Sequence, residues 1–168
     1  ASIRVTSELA RSGRRSLQIV DSPALKEAYN PHFFYTPHLR EGKARFAFAL
    51  HLKEGADVAV EWRTGGYPFR VGPSFRIDPA GQVTAAGKPL ARVPREHWIE
   101  VQVRCGLGKA ATGKWSLALA VPGQDPQLFP DLPCGSEDFD ALEWLGFISQ
   151  ARSRTVFHVD DVKLEMEK

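Results

Sequence analysis

The sequence is short of the features that mark several common protein classes. It has 2 cysteines and 1 methionine among 168 residues. Two cysteines cannot by themselves supply the four ligands of a structural zinc site. No apolar run approaches the roughly 18 residues of a membrane-spanning helix, so we expect no membrane partner.

An excess of one charge is also missing. The chain carries 22 Lys and Arg against 20 Asp and Glu, which gives a formal charge of +2. A protein that binds nucleic acid through its charge needs a concentrated basic face. The densest basic cluster, Arg11, Arg14 and Arg15, is too short for that, so we expect no nucleic-acid partner. The apolar content of 43% is enough for a packed core, which excludes a disordered chain.

Long helical periodicity is absent, and alternation of apolar and polar residues dominates instead. A period of two is typical of half-buried antiparallel strands, because successive side chains point to opposite faces. We expect short helices in loops, at residues 24–29 and 137–142. The sequence therefore predicts an all-β fold, a two-sheet antiparallel β-sandwich of the jelly-roll type. The clearest alternating runs are residues 43–53, 58–63, 98–105, 115–121 and 157–159.

The length of the chain suits one domain, which we place at residues 1–168. The sequence begins at Ala1 in the middle of an alternating pattern. We therefore expect a single β-sandwich domain that has been excised from a larger multidomain protein.

Strand phase also predicts which tryptophans are buried. Trp62 alternates in phase with neighbouring valines, so we place it in the core. Trp115 and Trp144 are assigned to the core on the same grounds. Trp98 opposes the apolar residues of its run, and we expect it to be exposed.

The cysteines stand at comparable positions. Cys105 and Cys134 each precede a glycine where a strand-like run meets a turn. Such a placement suits a disulfide between an edge strand and a loop, and it equally suits two buried thiols. The residues themselves leave these two alternatives open.

Three segments resemble a known family of modules. Residues 8–20, ELARSGRRSLQIV, are similar to the E-x-A-x-S-G-x-x-S-L opening of many carbohydrate-binding β-sandwich modules. Residues 157–164, FHVDDVKL, resemble the closing F-Y-I-D-D-V-x-L strand of those modules. Residues 95–101, REHWIEV, resemble a turn and strand of laminin-G-like and concanavalin A-like domains. The resemblance implies a jelly-roll fold in a secreted, extracellular or periplasmic protein that processes polysaccharides, with catalytic or other domains in the same parent.

The resemblance also implies a metal site. In such modules the first Asp of the closing D-D-V ligates a structural calcium, together with a carbonyl near the S-G-x-x-S-L turn. The matching positions here are Asp160 and the carbonyl region of Arg14. Calcium needs about six to eight oxygen ligands, and these two positions supply only part of that number. The alternative is that Asp160 caps a bulge at Asp160-Asp161.

Signatures of jelly-roll enzymes are missing from the sequence. Retaining glycoside hydrolysis needs two carboxylates about 5 Å apart, which acids at positions i and i+2 of a strand provide. Glu61 is followed two residues later by Arg63 rather than by an acid. Glu137, Asp138 and Asp140 lie in a predicted turn, where a solvated loop is the simpler interpretation. We find no lyase signature either, and we therefore predict no enzymatic activity.

The segment from residue 29 to residue 76 holds the densest mixture of aromatic and planar polar side chains. Such groups stack on sugars and bind their hydroxyls. If the strands of this segment are neighbours in one sheet, they present one Arg-rich face. Arginine binds carboxylate and sulfate in bidentate fashion, so the expected ligand is an acidic polysaccharide or oligosaccharide. The candidate ligand-binding residues are Arg45, His51, Glu61, Arg63, Tyr67, Arg70 and Arg76.

The leading functional hypothesis is a noncatalytic carbohydrate-binding or accessory module that requires no cofactor apart from the implied calcium. One alternative is a structural β-sandwich that packs against a partner domain, through an apolar patch of Phe33, Phe34 and Phe69. In that case Glu61 and Arg63 form an ordinary ion pair on a solvated sheet. Another alternative is a diverged jelly-roll glycoside hydrolase or polysaccharide lyase.

Overall fold

A computed structural model describes residues 1–167 of the chain. These residues form two antiparallel sheets of seven and six strands. The order in the seven-stranded sheet is β1 (Ser2–Thr6), β2 (Ser16–Val20), β13 (Val156–Glu167), β4 (Gly42–Leu52), β9 (Trp98–Leu107), β10 (Lys114–Ala120), β11 (Gln127–Pro133). The order in the six-stranded sheet is β3 (His32–Tyr35), β12 (Trp144–Ser149), β5 (Val58–Arg63), β6 (Val71–Ile77), β7 (Gln82–Ala85), β8 (Lys88–Arg92). The predicted two-sheet β-sandwich is confirmed.

The core lies between the two sheets and consists of the apolar side chains of the alternating runs. On β4, Phe46 and Phe48 point inward and are nearly inaccessible to solvent. Trp62 of β5 and Phe147 of β12 face them from the other sheet, and the rings of Phe48 and Phe147 lie 4.9 Å apart between centroids. Burial of Trp62 and Trp115 confirms their assignment to the core. Each such side chain contributes about 1.5–3 kcal/mol relative to leaving it exposed.

The strands that carry the two terminal motifs are neighbours. β2 pairs with β13, in a register that places Val20 opposite Val156. β1 lies beyond β2 at the edge of the sheet. The predicted bulge is also present, because the pairing of β13 with β4 shifts register between Asp160 and Lys163. Asp161 adopts a left-handed backbone conformation there, with φ of 50°.

The predicted helices at residues 24–29 and 137–142 are wrong. Both segments form turns and bends, and the one helix in the described part of the chain is the short 3₁₀ turn Gly108–Ala110. Neither segment is long enough to bury an amphipathic stripe, so tertiary contacts decide its shape. In the second segment Phe139 is buried in the core and Asp140 binds Arg70. No helix among residues 1–167 has the length and apolar character needed to cross a membrane.

The two cysteines are buried, free thiols. Cys105 lies on β9 and Cys134 directly follows β11, which places them on either side of β10. The neighbouring Cys134 side chain, together with burial, raises the pKa of the Cys105 thiol well above its ordinary value. The structure thus has the buried-thiol alternative rather than the disulfide.

We expect both thiols to be unreactive in the folded protein, because nucleophilic attack needs an accessible thiolate. A thiol reagent such as dithionitrobenzoate should label neither cysteine under native conditions. The same reagent should label both after unfolding in guanidinium chloride without a reductant. Fewer than two labelled thiols in the unfolded protein would indicate a disulfide instead.

Candidate functional site

The structure divides the predicted ligand-binding residues between two opposite surfaces. Glu61 and Arg63 on β5 and Arg76 on β6 share the outer face of the six-stranded sheet. Tyr67 and Arg70 belong to the loop between β5 and β6. Arg45 and His51 lie on β4, whose neighbours are β13 and β9 of the other sheet. The prediction of one common face is therefore wrong for these two, because the chain crosses to the opposite sheet between β4 and β5.

On the seven-stranded sheet, Arg45 and His51 are engaged with their own neighbours. Arg45 donates hydrogen bonds from Nε to Gln102 Oε1 at 2.6 Å and from Nη1 to Glu165 Oε2 at 2.7 Å. His51 is only 6% exposed, and its ring lies between Trp98 and His158. Burial lowers the pKa of His51, which favours the neutral imidazole. A polysaccharide chain could not reach His51 without unpacking this cluster.

The outer face of the six-stranded sheet carries a continuous row of flat side chains, which we call the aromatic row. The guanidinium carbon of Arg63 lies 4.4 Å from the ring centroid of Phe69 and 4.2 Å from that of Trp144. The ring of Trp144 in turn stacks on Phe34 at 5.5 Å between centroids. Further ring contacts extend the row at both ends. Its members in spatial order are Tyr67, Phe69, Arg63, Trp144, Phe34, His32 and Tyr29.

The assignment of Trp144 to the core is wrong, and its position creates the row. On β12, Leu145 and Phe147 are buried between the sheets, so Trp144, Gly146 and Ile148 point outward. The indole lies flat over Gly146, where an added Cβ would approach the ring to 2.1 Å. A glycine two residues after the tryptophan, in the phase opposite to Leu145 and Phe147, is the sequence signal that identifies an outward platform.

A groove of about 360 Å³ runs beside the row. Glu61 is the one carboxylate among the described residues that line it, and Glu61 Oε1 accepts a hydrogen bond from Arg63 Nε. At the β3 side, His32 Nδ1 is 2.8 Å from Asn30 Oδ1, which fixes the orientation of the imidazole. The groove therefore offers planar polar groups beside an aromatic surface. Its lining consists of Tyr29, His32, Ala59, Glu61, Arg63, Trp144, Ile148 and Gln150.

The remaining two predicted arginines anchor the structure around the groove. Arg70 donates from Nη1 to the carbonyl of Asp138 and from Nη2 to Asp140 Oδ1, each at 2.8 Å. These bonds tie the β5–β6 loop to the segment before β12. Arg76 forms a bidentate pair with the buried Asp57, with Nε 2.7 Å from Oδ1 and Nη2 2.5 Å from Oδ2. That pairing raises the pKa of Arg76.

The apolar patch of the structural alternative is not continuous. Phe33 and Phe34 are consecutive on β3 and point to opposite faces. Phe33 packs on Phe147 at 4.8 Å between centroids, whereas Phe34 is 48% exposed. Phe69 contacts Arg63 rather than either phenylalanine of β3. Phe34 and Phe69 thus belong to the aromatic row, and Phe33 to the core side.

The surroundings of Asp160 do not fit a calcium site. Asp160 Oδ2 accepts backbone N–H bonds from Arg11 at 2.7 Å and Ser12 at 3.3 Å, and Oδ1 accepts one from Asp161 at 2.8 Å. Calcium requires six to eight oxygen ligands, whereas N–H donors surround this carboxylate. Among residues 1–167, no three His, Cys, Asp or Glu side chains are grouped so that they could hold a metal ion. Asp160 fastens the β1–β2 loop to the bulge, and the calcium prediction rests on the resemblance alone.

Comparison with known proteins gives information on the fold. No protein-family model matches the chain, and no curated protein matches it. The structure is similar to an endo-β-1,4-glucuronan lyase from the fungus Trichoderma reesei, with a TM-score of 0.66 and 10% identity over 99% of this chain and 87% of that one. It is also similar to an alginate lyase from Aplysia kurodai, with a TM-score of 0.65 and 10% identity over 99% of this chain and 87% of that one. The cellulose-induced protein Cip1 is similar as well, with a TM-score of 0.60 and 13% identity over 98% of this chain and 85% of that one. The chain thus has the concanavalin A-like jelly-roll fold.

Proposed function

We propose that the protein is a noncatalytic carbohydrate-binding module that holds a polysaccharide on the outer face of its six-stranded sheet. The observation that carries this proposal is the exposed aromatic row, in which Trp144 and Phe69 sandwich the guanidinium of Arg63. The row replaces the Arg-rich face that the sequence suggests.

The chemistry of the row suits sugar recognition. A pyranose ring has an apolar C–H face that packs on aromatic side chains, and hydroxyls at its rim that need planar donors and acceptors. Trp144 and Phe34 supply the stacking surface. Arg63, Glu61 and Gln150 lie beside it in the groove as hydrogen-bonding groups. Four members of the row are exposed, and exposed apolar surface of this kind is typical of binding sites: Tyr29, Phe34, Tyr67 and Phe69.

The similar structures support a polysaccharide as the ligand, without specifying its charge. Their names describe lyases that act on glucuronan and alginate and a protein induced by cellulose. We place the module in an extracellular or periplasmic protein, where it accompanies catalytic or other domains of the same parent and brings them to their polysaccharide.

The arrangement of acids favours binding over glycoside hydrolysis. Hydrolysis by a retaining or inverting mechanism needs two carboxylates that flank the scissile bond. Glu61 has no carboxylate partner among the described residues of the groove, and it is paired with Arg63. Asp138 and Asp140 hold Arg70 at the loop. The diverged-enzyme alternative predicts new reducing ends, or unsaturated products that absorb in the ultraviolet, when polysaccharides are incubated with the protein.

Replacing Trp144 with alanine is expected to weaken polysaccharide binding about tenfold or more. Burial and stacking of one large ring contribute about 1.5–3 kcal/mol, and about 1.4 kcal/mol corresponds to tenfold. Affinity electrophoresis through gels that contain single polysaccharides measures the change. Because Trp144 is partly buried against Gly146, Phe34 and Arg63, the variant should also lose some stability, and its binding is measured below its unfolding transition.

The matched control is Leu128→Ala. Leu128 is 62% exposed on β11 of the opposite sheet, so its removal changes a comparable apolar surface away from the row. Retention should be unchanged in this variant. Equal retention of Trp144→Ala and wild type would place the binding surface elsewhere and contradict the proposal.

A further inference from the structure

We infer that the aromatic row takes an internal stretch of an uncharged polysaccharide, rather than the acidic glycan that the count of arginines suggests. This inference rests on the proposed function and specifies its ligand. It follows from the partners of each guanidinium on this face, from the charge that remains in the groove, and from the course of the row across the sheet.

The central arginine already has an acidic partner. Arg63 Nε donates to Glu61 Oε1, and the side chains of both residues are less than one-third exposed. Glu61 lies in the groove itself, so its charge faces any ligand that covers Arg63. A carboxylate or sulfate would have to approach Arg63 beside a fixed negative charge, and like charges at such a contact oppose binding.

The other two arginines near the groove are neutralised in the same way. Arg76 is held by both oxygens of the buried Asp57, and Arg70 by Asp138 and Asp140. Counting the Arg63–Glu61 pair as well, three guanidinium groups are bound by four carboxylates, those of Glu61, Asp57, Asp138 and Asp140. These three arginines therefore supply no excess positive charge beside the groove with which to attract an acidic polymer.

The groups that remain available suit hydroxyls. Because His32 Nδ1 is occupied by Asn30 Oδ1, its Nε2 is the ring nitrogen left for a ligand. Gln150 lines the same groove and offers an amide, which is both a donor and an acceptor. The N–H groups of Arg63 that Glu61 does not use can donate to oxygen of any charge. Stacking on Trp144 and Phe34 requires no charge on the ligand.

The row crosses the strands and is open at both ends. It passes from the β5–β6 loop over β5 and β12 to β3, and then to the segment that precedes β3. Tyr67 is 92% exposed at one end, and Tyr29 is 52% exposed at the other. Consecutive members are separated by 4.2–6.3 Å, so the row is several rings long. A ligand of matching shape is an extended chain that continues past both ends, and binding should strengthen with oligosaccharide length.

Matched pairs of polymers that share a backbone and differ in charge test the inference. We would compare hydroxyethylcellulose with carboxymethylcellulose, and neutral arabinoxylan with glucuronoxylan, by affinity electrophoresis. We expect the protein to bind the neutral member of at least one pair about tenfold more tightly than the charged member. That retention should persist in about 1 M NaCl, which shortens the Debye length to about 3 Å. Stronger binding to the charged member, weakened by salt and by Trp144→Ala, would overturn the inference while leaving the proposed function in place.

Glu61→Gln provides a second readout, because it keeps the shape of the side chain and releases Arg63 from its ion pair. We expect the ratio of its affinity for carboxymethylcellulose to its affinity for hydroxyethylcellulose to rise about tenfold over that of the wild type. Glu165→Gln is the matched control, since it releases Arg45 from an ion pair on the opposite sheet. It should change the affinity for neither polymer. An unchanged charge preference in Glu61→Gln would contradict the inference. Absence of retention on every polymer tested would overturn the binding function and the ligand class together.

Discussion

Replacing Phe147 with alanine is expected to lower the free energy of unfolding by about 3–5 kcal/mol. Phe147 is fully buried on β12, where its ring stacks on Phe33 and contacts Phe46 and Phe48 of the opposite sheet. The three contacts join both sheets at one point. Truncation leaves a cavity between the sheets. The strands around it cannot move in to close it, because backbone hydrogen bonds hold the strands of both sheets in register. Urea or guanidinium unfolding followed by tryptophan fluorescence measures the loss.

Phe34→Ala is the matched comparison for this prediction. Phe34 and Phe33 are neighbours on β3, yet Phe34 faces outward and is half exposed in the aromatic row. Its truncation should cost about 1 kcal/mol of stability or less. It should also weaken polysaccharide retention, whereas Phe147→Ala, studied below its unfolding transition, should retain binding. Equal losses of stability in the two variants would contradict the assignment of Phe34 to the exposed face of the sheet and of Phe147 to the buried face.

Acidification from about pH 6.5 to pH 4 is expected to destabilise the protein by about 3 kcal/mol through one histidine. Burial and the neighbouring His51 and Lys53 lower the pKa of His158 from 6.5 to about 4. The side chain is 1% exposed, and its Nδ1 has no hydrogen-bond partner among the described residues. Protonation would therefore leave a buried cation without a compensating acceptor.

The direction of the effect follows from proton binding. Below pH 6.5 the unfolded chain protonates His158, while the folded protein does not do so until about pH 4. The unfolded state thus binds more protons throughout this window, so stability falls as the pH is lowered and is fully regained above it. Unfolding curves at a series of pH values measure the slope.

His158→Gln should flatten this slope, because glutamine does not titrate and can still hydrogen bond to Gln18. The control variant is His97→Gln, since His97 is exposed and its removal should leave the slope of the wild type in place. A slope that is identical in wild type and His158→Gln would show that other groups cause the acid sensitivity.

Local sequence patterns predicted the strands well, for a local reason. The alternation within residues 43–53 places Phe46, Phe48 and Leu50 inward, because the period of a strand is set by its own backbone. The same reasoning predicted the burial of Trp62. Trp144 was misplaced because its run contains few polar residues, so the phase of the strand was ambiguous.

The candidate site could be predicted only in part, because it depends on contacts that are distant in the chain. Glu61 and Arg63 lie two residues apart, and their shared face follows from strand geometry. The partners that neutralise Arg70 are about seventy residues away, and no local pattern announces them. The contact of Arg63 with Trp144 likewise depends on the pairing of β5 with β12.

The sequence by itself determined that this protein is an all-β sandwich and that residues 29–76 are rich in aromatic and planar polar side chains. Only the tertiary structure decided which sheet each strand joins, and thereby separated Arg45 and His51 from the residues around the groove. It also decided that the arginines are paired and that the exposed surface is aromatic. The physical reason is that side-chain alternation depends on neighbouring residues, whereas strand order and ion pairing are set by the packing of the whole chain.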